Sequence, residues 1–147
     1  MSSRKRLHIG FGLAVALLVF SCSDDNGPTE LDCSAVSCPA AVTAHNVTLK
    51  DTSGAAVSLD SFSVTDGDTK EELTKRLDSA SYRIAQNTGT YPLYDDLSGP
   101  SGPVERRTLV FIGFIGQQAV ITAQYEVFSD CCSSSITNGT LDLVVSK

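Results

Sequence analysis

From Asn46 onward, apolar and polar side chains mostly alternate. Val47 and Leu49 are interleaved with Thr48 and Lys50, and the polar run Asp51-Thr52-Ser53-Gly54 then reads as a turn. A period of two sends successive side chains to opposite faces, so each such run predicts a half-buried strand. Val57 and Leu59 keep to odd positions, but Phe62 and Val64 fall on even ones. A strand cannot change face without an extra residue, which predicts a bulge or corner near Asp60–Ser61.

Leu109 to Ile115 is apolar on both faces, as the central strand of a sandwich can be. Gly116-Gln117 fits a two-residue hairpin turn of the Gly-X kind. Beyond it, Ala119, Ile121, Ala123, Tyr125 and Val127 alternate with Val120, Thr122, Gln124, Glu126 and Phe128. Asn138-Gly139 is the strongest hairpin signal, and Leu141, Leu143 and Val145 form a last inward row. Tyr91-Pro92-Leu93-Tyr94 reads as an edge strand, because proline cannot donate to a ladder. Leu97 to Val104, with two prolines and two glycines, reads as a surface loop. Thr69-Lys70-Glu71-Glu72 fits a capping box, with Leu73, Leu77 and Ala80 on one helical face and Glu72–Arg76 as an i,i+4 pair. Residues 69–80 stay open between a short helix and strand-and-loop. About seven strands with turns between them predict an all-β, antiparallel two-sheet sandwich with room for one short helix.

The N-terminus departs from this pattern. Arg4, Lys5 and Arg6 precede an apolar run from Ile9 to Phe20, and Val19-Phe20-Ser21 leads into Cys22. That run is 12 residues long, short of the ~20 needed to cross a hydrocarbon core. The order of basic start, apolar stretch and small residue before a cut resembles a lipoprotein signal. The resemblance implies that residues 1–21 are removed and that Cys22 is acylated as the mature N-terminus. Residues 22–32 read as a flexible acidic tether, and residues 33–147 as the sandwich domain. Cys22-Ser23-Asp24-Asp25-Asn26-Gly27 resembles the acidic tether of Bacteroidota lipoproteins displayed on the outer membrane. It implies an outer-membrane, lipid-anchored location, surface-exposed or otherwise facing the periplasm.

Removing residues 1–21 discards three basic residues and no acid, so the net charge of −6 becomes −9. An acidic surface repels phosphate backbones, which excludes nucleic acid as the expected partner. It also leaves the lipid on Cys22 as the membrane attachment, with no polybasic patch to assist it. Beyond Cys22 the cysteines are Cys33, Cys38, Cys131 and Cys132. An even count in an exported chain predicts disulfides. Bridging Cys131 to its neighbour Cys132 would strain the peptide between them, so cross-pairing between the two clusters is expected, partners unassigned. A four-thiolate zinc site fits these spacings poorly, and there is no C-x-x-C redox motif.

Chemistry-bearing groups are sparse. His45 is the one histidine of the mature chain, at the start of a predicted strand. Ser133, Ser134 and Ser135 lack a nucleophile-elbow context and read as loop. Asp66-Gly67-Asp68, with Glu71 and Glu72, lacks the spacing of a calcium loop. Asp95 and Asp96 point to opposite faces of a strand, against a shared acid–base pair. No phosphate-cradling glycine loop is present. The expected enzyme class is therefore none, with no catalytic residues, metal or cofactor. Asp78-Ser79-Ala80 matches a short O-glycosylation pattern of exported Bacteroidota proteins, making Ser79 a candidate modification site.

The series Val47-Thr48-Leu49, Asp51, Gly54 and Val57 resembles the opening strands of transthyretin-like and carboxypeptidase-regulatory-like sandwich domains. Gly89-Thr90-Tyr91-Pro92-Leu93-Tyr94-Asp95-Asp96 and the later Asp130-Cys131-Cys132 resemble small Bacteroidota lipoproteins of unassigned role. In those proteins a His commonly follows the cysteine pair, whereas this chain has Ser133. The resemblance implies an immunoglobulin-like topology and no chemistry. The expected function is a non-enzymatic accessory or interaction module. The alternative is a glycan- or peptide-binding surface module using the loop Asp95–Val104 with Tyr91 and Tyr94.

Overall fold

The computed structural model describes Cys33, Val36, Ser37, residues 44–95 and residues 104–146. The signal 1–21, the tether 22–32 with Cys22, Cys38, and positions 97–103 of the expected loop lie outside the described residues. Seven strands and one helix follow in order: β1 (Ala44–Asp51), β2 (Ser61–Asp66), α1 (Ser79–Thr88), β3 (Thr90–Asp95), β4 (Glu105–Ile115), β5 (Gln118–Ser129), β6 (Ser134–Asn138) and β7 (Asp142–Val145).

The strands form two sheets, β3-β1-β7 and β2-β4-β5-β6. Val47, Leu49, Tyr91, Leu93 and Val145 from the first face Phe62, Val64, Leu109, Phe111, Tyr125 and Val127 from the second in one buried cluster. This is the all-β sandwich that the alternation predicts. Its centre is aromatic, with Phe62 stacked on Phe111 at 5.9 Å between centroids and tilted against Tyr91 at 5.6 Å. The change of parity between Leu59 and Phe62 is a bend at Asp60. There the chain leaves the neighbourhood of β1 and enters the other sheet.

The sheets are antiparallel apart from one pair: β7 runs parallel to β1, pairing Leu49 with Leu143 and Asp51 with Val145. Two expectations need correction. Asn138-Gly139 is not a hairpin. It carries the chain from β6 in one sheet to β7 in the other. Here Gly139, at φ +110°, lets the backbone pass over the Tyr125 ring, where a Cβ would lie 2.4 Å from Cδ1. Ser134 and Ser135 open β6 and are not loop.

Residues 69–78 are not helical. Lys70 is left-handed at φ +64°, which ends any helix begun at Thr69. The chain then runs extended beside β2: Glu72 bridges to Thr65, Leu73 N donates to Val64 O at 2.8 Å, and Thr74 Oγ1 accepts from Val64 N at 2.6 Å. This run covers the outer edge of β2, whose backbone groups would otherwise lie open. The helix begins ten residues beyond Thr69, at Ser79. Asp78 caps it, accepting from Ala80 N at 2.9 Å and Ser81 N at 2.7 Å, and Gly89 closes it in the left-handed conformation. Tyr82 of α1 stacks on Phe62 of β2, and Gln86 Nε2 donates to Leu59 O at 2.9 Å. The helix thus fills the side of the sandwich between edge strands β2 and β3.

Candidate functional site

The expected cross-pairing of cysteine clusters is present in one assigned bond, Cys33–Cys131, which spans 98 positions. Cys132 is disulfide-bonded as well. The vicinal pair occupies a turn fixed by Asp130, whose Oδ1 accepts from Cys132 N at 2.8 Å and Ser133 N at 2.7 Å. Those two N–H groups hold the Asp130 carboxyl below its ordinary value. The Ser133 hydroxyl is spent on the same carboxylate.

His45 comes close to this corner from β1. Its Nε2 lies 3.1 Å from both the carbonyl and the hydroxyl oxygen of Ser134 on β6. A carbonyl only accepts, so an attractive contact requires Nε2 to carry the proton. A nitrogen so protonated cannot take the Ser134 proton, and Ser134 is buried. The pair fastens one sheet to the other. Sequence reading placed His45 correctly but could not see its partner, 89 positions away.

The acidic turn after β2 is equally committed. Asp66 Oδ1 accepts from Asp68 N at 2.9 Å and Thr69 N at 2.8 Å, and Oδ2 lies 3.7 Å from Arg107 Nε. The Thr69 N–H is the largest influence drawing the Asp66 carboxyl below its usual range, and burial opposes it. Among the described residues, no three His, Cys, Asp or Glu side chains gather where they could hold a metal ion. Ser79 is exposed at the first position of α1, directly after its cap.

Of the two tyrosines expected to supply aromatic contact, only Tyr94 reaches the surface. Tyr91 is fully buried, its hydroxyl accepting from Leu59 N and donating to Val57 O. The alternation that put Tyr91 and Tyr94 on opposite parities already separated them. Tyr94 instead lines a groove of about 350 Å³ between the extended run 73–76 and β3. A second depression of about 380 Å³ adjoins it on the α1 side, the two sharing Lys75 and Pro92. At the mouth, Lys75 pairs with Asp95 Oδ2. The Asp95 side chain is only 8% exposed, and its Oδ1 is buried with no hydrogen-bond partner among the described residues.

Comparison with family models, with curated proteins and with solved structures finds no match for this chain.

Proposed function

We propose that this chain is a lipid-anchored extracytoplasmic sandwich, held at the outer membrane through Cys22, that acts as a non-enzymatic accessory or interaction module. The Cys33–Cys131 bridge is the observation that supports it most, because disulfides form and persist outside the reducing cytoplasm. Among the described residues no helix is long and apolar enough to cross a membrane. Asp66, Asp130 and His45 each hold backbone groups in place, in keeping with a structural role for them. Radiolabelled palmitate is expected to enter the wild type and not Cys22→Ala; equal labelling of both would reject the anchor.

The second reading, a surface module that binds a glycan or a peptide, is favoured by one observation. Asp95, which lines the groove beside β3, has a buried carboxylate oxygen with no hydrogen-bond partner among the described residues.

A further inference from the structure

We infer that the groove between Leu73–Arg76 and β3 is a carbohydrate site, with the orphaned Oδ1 of Asp95 as acceptor for a sugar hydroxyl. The inference deepens the second reading above and is independent of the lipid anchor. A buried polar atom without a partner carries a desolvation penalty that native structures almost always relieve. Asp95 Oδ1 is such an atom, Asp95 lines the groove, and its side chain is more than nine-tenths buried. Lys75 already balances the charge through Oδ2, so the missing partner is a neutral donor rather than a cation.

Hydroxyls and amides both meet that description, and β3 separates them. Leu49 N donates to Gly89 O, and Val47 pairs with Tyr91, so residues 89 and 91 turn their backbone groups toward β1. By alternation, Thr90 and Pro92 face the open edge. Pro92 has no N–H, so an added peptide strand would meet a gap in the middle of its ladder. A sugar needs no ladder. The Tyr94 ring and Leu73 offer apolar surface for the C–H face of a pyranose. Arg76 is exposed, makes no ion pair among the described residues, and can donate to ring and exocyclic oxygens. A volume of about 350 Å³ suits a ring-sized ligand, and the adjoining depression past Lys75 and Pro92 extends the path to a second ring.

The test uses the mature lipoprotein in a detergent without a sugar headgroup, on a printed array of neutral and acidic oligosaccharides. A parallel array of octapeptides is run beside it. The expected result is binding to at least one glycan, weakened tenfold or more in Tyr94→Ala and in Asp95→Ala, both measured by titration calorimetry with that glycan. A third variant, Val144→Thr, on the exposed face of β7 away from the groove, binds like the wild type. Melting curves identify any variant that fails to fold, and Tyr94→Phe then replaces it with a smaller loss expected. No glycan bound, binding untouched by either groove substitution, or binding to peptides alone each overturns the assignment. Palmitate labelling of the same preparation reports on the anchor separately, so either idea can fail without the other.

Discussion

The phenol of Tyr91 accepts the backbone N–H of Leu59 at 2.7 Å, while donating its own proton to the carbonyl of Val57 at 3.1 Å. One side chain of β3 thereby satisfies two backbone groups on the segment that crosses between the sheets. Burial raises the hydroxyl's pKa, so it stays a protonated donor across the physiological range. Tyr91→Phe keeps the ring and leaves a buried donor and acceptor unpaired. The expected loss is about 1–3 kcal/mol. It appears as a lower urea midpoint with an unchanged slope, and a midpoint equal to wild type refutes it.

Asp66 makes stability depend on pH with a definite sign. Its folded pKa lies below the ordinary carboxylate value, so its contribution is complete above that ordinary value, near pH 4, and fades as pH falls through the lower folded value. Asp66→Asn, which does not titrate, is expected to be less stable at pH 7 by about 1–3 kcal/mol. The gap between the two proteins should close as the pH drops below 4. Denaturant titrations at several pH values measure it, and a gap constant with pH contradicts the assignment.

Gly139→Ala introduces a Cβ 2.4 Å from the Tyr125 ring and 2.9 Å from Gln124 O, at a φ of +110°. Neither the ring nor the backbone can withdraw cheaply, since Tyr125 is buried and its hydroxyl donates to Thr140 O at 3.0 Å. Crowding and backbone strain together are expected to remove about 2 kcal/mol or more. A melting temperature within one degree of wild type is the result that contradicts it.

Breaking the Cys33–Cys131 bond with Cys131→Ser releases a closed loop of about 100 residues and is expected to destabilise by about 2–5 kcal/mol. Peptide mapping of the unreduced protein should recover a fragment joining Cys33 to Cys131. Recovery of Cys33 joined to Cys132 instead contradicts the assignment.

Alternation made most of the sandwich legible, because the inward residues of β1, β2, β5 and β7 keep parity with the core. Residues 69–80 show where that signal runs out. Leu73 and Leu77 are four apart, a spacing that suits one face of a helix and equally one face of an extended chain. Both leucines do pack on the core, but from the extended run. The true helix was missed because Ala85 is its one buried residue and Ile84 faces water. Its signal lay in the ends instead, with Asp78 before it and Gly89 after. Asn138-Gly139 misled because the dipeptide encodes a reversal without saying which sheet the chain re-enters. The groove could not be read either, since Lys75 and Asp95 meet only after folding.

The bond between Cys33 and Cys131 also decides how the domain meets mechanical tension. Force applied to the chain ahead of Cys33 is handed across sulfur to the connection between β5 and β6. It does not have to pass first through β1, whose hydrogen bonds to β3 and β7 could unzip one at a time. Under shear the sandwich is gripped at the β5–β6 corner, and its first strand is spared the pull.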